Sequence, residues 1–196
     1  MDLSANNDTA YLQVVGGFIQ VGTTSGASDV YSNTSNIVTK VMIADTLVGG
    51  ATGQYVELNG SNTFSLSNGF SSSGIEQVAI NQIVSTTSAD INVVAPNWIS
   101  VGADLTTTSG NITLDADNGT SQPGSFNGVS INGPGVDITT TTGNIQIDGR
   151  GSTGTTGSFS GILLNQFNSI KSTSTGNISL TGFGLSLIHI SEPTRQ

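Results

Sequence analysis

Apolar and polar positions alternate along this chain in very short runs. Ile112-Thr113-Leu114, Ile145-Gln146-Ile147 and Ile178-Ser179-Leu180 each place two branched apolar residues on one side and a polar one on the other. That period of two predicts short, half-buried strands. Each run follows the same corner: Thr106-Thr107-Thr108-Ser109-Gly110-Asn111, Thr139-Thr140-Thr141-Thr142-Gly143-Asn144, and Ser172-Thr173-Ser174-Thr175-Gly176-Asn177. The corner glycines are spaced 143 − 110 = 33 and 176 − 143 = 33 residues apart. A second motif, Gly124-Ser125-Phe126-Asn127-Gly128-Val129, returns as Gly157-Ser158-Phe159-Ser160-Gly161-Ile162, with 157 − 124 = 33. Two unlike motifs sharing one period indicate a structural repeat.

Each repeat contains two further strand candidates. Val129-Ser130-Ile131 matches Ile162-Leu163-Leu164, Ile99-Ser100-Val101 and Val78-Ala79-Ile80. Val136-Asp137-Ile138 matches Ala103-Asp104-Leu105 and, loosely, the segment around Ile170. The connectors carry turn signals such as Asn132-Gly133-Pro134-Gly135, and no segment sustains a helical period. Towards the N-terminus the corner strand is predicted at Ile91-Asn92-Val93, Val56-Glu57-Leu58 and Ile19-Gln20-Val21. The resulting series Ile19, Val56, Ile91, Ile112, Ile145, Ile178 has steps of 37, 35, 21, 33 and 33. The interval from Ile91 to Ile112 holds all three strands in 112 − 91 = 21 residues, replacing the long Asp115-to-Asn127 connector with Ala95-Pro96-Asn97-Trp98. A minimal coil of three strands, lengthened by loops at its corners, therefore fits better than two coils per repeat.

The predicted fold is all-β: a parallel β-helix of three short strands per coil and five to six coils. It occupies residues 1–184 as one segment, with clear repeats over 99–184 and degenerate ones over 11–98. One coil cannot bury its own apolar side, but coils stacked at about 4.8 Å bury a continuous column. Ile112, Ile145 and Ile178 are expected to form one inward row, and Leu114, Ile147 and Leu180 the next. Gly110, Gly143 and Gly176 are expected at φ > 0, where glycine has no Cβ penalty. Asn111, Asn144 and Asn177 are expected to stack as an amide ladder, and Phe126 to lie over Phe159.

Ser, Thr, Asn and Gly make up about half of the chain, yet charged residues are only 9% and hydrophobic ones 35%. Disordered chains usually pair low hydrophobicity with high charge, so composition leaves the strand reading standing. A net charge of −9 with four basic residues argues against nucleic acid and anionic membranes as partners. There is no cysteine, which excludes disulfides and thiolate metal sites. No apolar run reaches the roughly 20 residues of a membrane helix, and Met1-Asp2-Leu3-Ser4 lacks the basic and apolar regions of a signal peptide. Residues 185–196 break the repeat. Leu185-Ser186-Leu187-Ile188-His189-Ile190-Ser191-Glu192-Pro193-Thr194-Arg195 back-translates to a sequence that resembles the adapter of transposase-based library preparation. This tail, with the only histidine, is expected to stand outside the fold, and the chain to be an internal fragment.

The T-T-T-T-G-N-I-x-I-x-G block, with G-S-F-x-G between copies, resembles the repeats of filamentous-haemagglutinin-like adhesins. The resemblance covers residues 99–184 well and 11–98 loosely. It implies a right-handed β-helix forming the shaft of a large bacterial exoprotein, secreted or held at the outer cell surface. It further implies a monomeric shaft within a longer chain, presenting loops to cell-surface glycans or proteins, with neither nucleic-acid binding nor membrane insertion.

Alternation points Asp115 and Asp148 outward at matched positions one coil apart, and Asp104 and Asp137 likewise. Such a pair could hold calcium or serve as the two carboxylates of a retaining glycoside hydrolase, which stand about 5 Å apart. Solvated aspartates at strand ends give the same pattern. Lys40, Arg150 and Lys171 are scattered one per region, unlike the basic cluster expected over a polysaccharide-cleaving cleft. Asp115-Ala116-Asp117-Asn118-Gly119 lacks the ligand spacing and distal Glu of a calcium loop, and Gly49-Gly50-Ala51-Thr52-Gly53-Gln54 lacks its Asp. Trp98 and Tyr55 could each stack on a sugar ring. The Thr runs allow an ice-binding face, although Thr is also ordinary filler with high β-propensity. No catalytic or cofactor-binding residue is assigned, and an enzyme is not expected.

Overall fold

The computed structural model describes residues 9–15, 18–22, 29–34, 40–44, 54–60, 63–154, 157–165 and 167–184, with side chains from residue 40 onward except that of Ala44. The tail at 185–196, the Gly49–Gly53 stretch and His189 lie outside the described residues. Among those described there is no helix.

Three strands open the chain: β1 (Thr9–Val15), β2 (Phe18–Gly22) and β3 (Asp29–Thr34), followed by β4 (Val41–Ala44). Five complete coils follow. They comprise β5 (Tyr55–Asn59), β6 (Phe64–Ser65) and β7 (Phe70–Ser73); β8 (Gln77–Asn81), β9 (Val84–Ser85) and β10 (Ile91–Val94); β11 (Trp98–Val101), β12 (Leu105–Thr107) and β13 (Ile112–Ala116); β14 (Val129–Ile131), β15 (Asp137–Thr140) and β16 (Ile145–Arg150); and β17 (Ile162–Leu164), β18 (Ser169–Ser172) and β19 (Ile178–Phe183). Each coil gives one strand to each of three sheets, and the coils pair in parallel. Sheet A runs β17-β14-β11-β8-β5-β1-β2-β3, sheet B β19-β16-β13-β10-β7-β4, and sheet C β18-β15-β12-β9-β6. The chain is a parallel β-helix.

The registers reproduce the predicted rows. Ile91, Ile112, Ile145 and Ile178 stand in one line, with Val93, Leu114, Ile147 and Leu180 in the next. Val129 meets Ile162, Ile131 meets Leu164, and Leu105, Ile138 and Ile170 form the third column. Those side chains that belong to the first four coils lie in one continuous core of buried residues from Val41 to Ile147, with Ile162 and Ile170 of the fifth packed against it. At about 25 cal/mol per Å² of buried apolar area, that column supplies most of the stabilising free energy. The last coil differs. Ile145 and Ile147 are 1% and 0% exposed, whereas their partners Ile178 and Leu180 are 43% and 50% exposed.

Two expectations about the N-terminal half are corrected. Val56 does not precede Ile91 in its sheet; it lies in sheet A beside Val78, and Phe70 occupies the position before Ile91. The steps through Phe70, Ile91 and Ile112 are 91 − 70 = 21 and 112 − 91 = 21, so the short coil is the norm here. The step of 35 came from joining strands of different sheets, and the step of 37 from counting a strand of sheet A that belongs to no coil. Ile19 is not a coil strand either: β2 runs antiparallel to β1, which itself pairs parallel with β5. A three-residue alternating strand looks the same in any sheet; only the Thr-run and Gly-Asn corner identifies sheet B, and before Ile91 it survives only as the worn Thr86-Thr87-Ser88-Ala89-Asp90.

Candidate functional site

The recurrent corner between sheets C and B is the best-formed polar feature of the molecule. Alternation along β12 and β15 turns the Thr runs in two directions. Thr106 and Thr139 are half-buried register partners on the outside, while Thr107 and Thr140 are buried partners. The outward row continues to Lys171, not to a third threonine. The buried hydroxyls satisfy the corner backbone. Thr107 Oγ1 accepts from the Gly110 N–H and Thr140 Oγ1 from the Gly143 N–H, each at 3.0 Å. In the last coil Ser172 takes the position of Thr140 but lies four residues before Gly176 instead of three, and its buried Oγ has no hydrogen-bond partner.

The corner glycines do not take positive φ, contrary to expectation; the described glycines that do are Gly69, Gly74, Gly119, Gly124 and Gly135. They are needed for another reason. A Cβ on Gly110 would lie 2.0 Å from the Ala89 carbonyl oxygen, one on Gly143 1.9 Å from that of Gly110, and one on Gly176 1.7 Å from that of Gly143. The backbones of successive coils touch here, and no side chain fits between them.

The asparagines do form a ladder, but its rungs run from side chain to backbone. Asp90 Oδ1 accepts from the Asn111 N–H at 2.7 Å, Asn111 Oδ1 from the Asn144 N–H at 2.9 Å, and Asn144 Oδ1 from the Asn177 N–H at 2.9 Å. Each amide thus satisfies a corner N–H in the next coil, as a helix cap does for a first-turn N–H. Asp90 starts the ladder, and a carboxylate oxygen serves as well as an amide oxygen.

The predicted carboxylate pair is brought together: Asp115 and Asp148 are register partners in β13 and β16. Each is already engaged locally. Asp115 accepts from the Asp117 N–H at 3.0 Å, and Asp148 from Gln146 Nε2 at 2.5 Å. No group of three or more His, Cys, Asp or Glu side chains that could hold a metal is found among the described residues. Asp104 and Asp137 also stack, with Asp104 Oδ1 accepting from the Asp137 N–H at 2.8 Å. Asp137 in turn takes bonds from Ser169 Oγ and, at 3.3 Å, from Lys171 Nζ. The Ser169 hydroxyl, and after it Lys171, holds the Asp137 carboxyl below its ordinary range.

Sequence reasoning missed two contacts. Arg150 clamps Asp117 with two bonds, Nε to Oδ1 at 2.6 Å and Nη2 to Oδ2 at 3.1 Å, and lies 4.3 Å from the centre of the Phe183 ring. That guanidinium holds the Asp117 carboxyl below its ordinary range. The signal was available, since 150 − 117 = 33 is the repeat itself. Tyr55 and Trp98, treated as isolated aromatics, are neighbours with ring centres 5.6 Å apart. The Tyr55 hydroxyl donates to Glu57, which also accepts from Asn59 and Asn81. They belong to the outer packing of sheet A.

No family model, curated protein or solved structure matches this chain.

Proposed function

We propose that this chain is a structural shaft segment of a large bacterial adhesin-like exoprotein, secreted or anchored at the outer cell surface. Its coils extend and present loops for attachment to cell-surface glycans or proteins. The observation that carries this reading is the stack of coils itself. Five coils repeat in one register and bury their apolar rows only against one another: Ile145 and Ile147 are buried between coils, whereas their partners Ile178 and Leu180 in the last described coil are about half exposed. The likeness of the repeats to filamentous-haemagglutinin-like proteins supports the same reading. The outward aspartates are bonded to groups in their own or the adjacent coil, which favours a stacking role over acid–base work. Calcium at Asp115 and Asp148 would find two carboxylates against the six to eight oxygens it prefers, so the shaft reading does not depend on it.

The test is to lengthen the chain by inserting three extra copies of residues 145–177 after Asn177. A shaft segment stays soluble, keeps its β-sheet circular dichroism, and grows by about 14 Å in small-angle scattering, at about 4.8 Å per coil. Aggregation, or loss of the β signal, contradicts the reading. Beads coated with the chain test attachment. More of them should be retained on an epithelial monolayer than of beads coated with an unrelated β-solenoid, and equal retention contradicts the attachment half.

A further inference from the structure

Two parallel lines of polar side chains run up the molecule where the corner meets the outer face of sheet B. The corner line is Asp90, Asn111 and Asn144; the strand line is Asn92, Thr113 and Gln146, register partners in three successive coils. Between them lies a groove of about 360 Å³ lined by these six residues alone. The ladder bonds turn one oxygen of each corner side chain along the helix axis, leaving Asp90 Oδ2 and Asn144 Nδ2 without a partner among the described residues. The Asn92 side-chain amide and the Thr113 hydroxyl make no hydrogen bond to other described residues. The groove thus carries, in each of three coils about 4.8 Å apart, polar groups that the fold leaves free: Asp90 Oδ2 and the Asn92 amide, the Thr113 hydroxyl, and Asn144 Nδ2.

We propose that this groove binds an uncharged polysaccharide lying along the helix axis. A chain of hexoses offers hydroxyls on both edges of every unit, matching two lines of donors and acceptors that repeat coil by coil. The alternatives fit less well. A peptide recognised by strand addition needs an unpaired edge, and β10, β13 and β16 are paired on both sides. A nucleic acid or anionic glycan needs cations, and the lining holds one carboxylate and no basic group. With no aromatic in the groove, recognition rests on hydrogen bonds, whose net worth in water is modest; affinity therefore grows with the number of coils engaged. The inference rests on the attachment half of the proposed function, but the coil-insertion experiment is blind to it, so either can fail alone.

Affinity electrophoresis in native gels tests it, using dextran, mannan, xylan and a soluble β-glucan as neutral probes and polygalacturonate as the anionic one. The unaltered chain should be retarded by at least one neutral polymer, equally at low and high salt. The double variant N92V/T113V, which keeps β-propensity and leaves the ladder intact, should bind at least ten-fold more weakly. T113V alone should weaken binding in the same direction, which keeps the test open if the double variant misfolds. S130V, on the outer face of sheet A, should bind as the parent does. Retardation by no neutral polymer, or by polygalacturonate alone, overturns the proposal. So does a T113V variant that binds as tightly as the parent, or an S130V variant weakened as much as T113V.

Discussion

The corners at Gly143 and Gly176 carry almost the same sequence but behave as different structures. At the first, Thr140 bonds the Gly143 N–H, Asn144 caps the Asn177 N–H, and Ile145 and Ile147 are buried. At the second, the Ser172 hydroxyl has no hydrogen-bond partner, and Ile178 and Leu180 are about half exposed. The motif itself does not make a stable element. Its stability comes from a coil on each side, as expected of a repeat protein whose free energy is a sum of nearest-neighbour terms.

Substitutions made in pairs test that difference. The largest effect is expected from Gly143→Ala, since its Cβ would strike the Gly110 carbonyl at 1.9 Å and coils on both sides block relief. Urea denaturation should show a loss of about 4 kcal/mol or more. Gly176→Ala meets an equally close oxygen, but the last coil can lift, and the loss should be less than half as large. Equal losses would mean that the end coil is clamped as firmly as the interior. Next comes Ile145→Ala, expected to cost about 2–5 kcal/mol as a buried truncation. Ile178→Ala at the exposed position should cost about 1 kcal/mol. Smaller again, Asn144→Ala leaves the Asn177 N–H uncapped and should cost about 1 kcal/mol, while Asn177→Ala should be near neutral.

The rows and registers of the C-terminal half were legible in the sequence because a 33-residue period fixes which residues stack. The N-terminal half was not, because Val56-Glu57-Leu58 and Ile91-Asn92-Val93 are interchangeable as patterns and only the corner motif marks the sheet. Tertiary contact, not backbone conformation, explains the corner glycines. That reason is invisible along the chain, since the oxygen each Cβ would strike belongs to the previous coil. The ladder was half legible: its asparagines were in view, but not that their oxygens bond backbone N–H groups or that Asp90 serves as its first rung. Asp117 and Arg150 are one period apart and were still missed, because matching like residues between coils, as with Asp115 and Asp148, passes over an acid whose partner one coil away is a base.

That ion pair gives a small expected effect that depends on pH. Arg150 depresses the Asp117 carboxyl below its ordinary value near 3.8. Its contribution is therefore fully present above that value and is lost as pH falls through the depressed one. Asp117→Asn should lower stability at neutral pH by about 1 kcal/mol or less. Thermal melts of parent and variant should converge in acid, and a gap that persists or widens there would contradict the assignment.

Native-state hydrogen exchange at two equivalent amides tests the neighbour-dependence most directly. The Ile145 N–H donates to the Asn177 carbonyl of the next coil at 2.8 Å, as the Ile112 N–H does to that of Asn144. The Ile178 N–H makes no such bond to the described residues. Protection should approach the global unfolding limit at Ile112 and Ile145 and be close to absent at Ile178. Equal protection at Ile145 and Ile178 would show that the corner motif is stable without a coil above it, and would contradict the account.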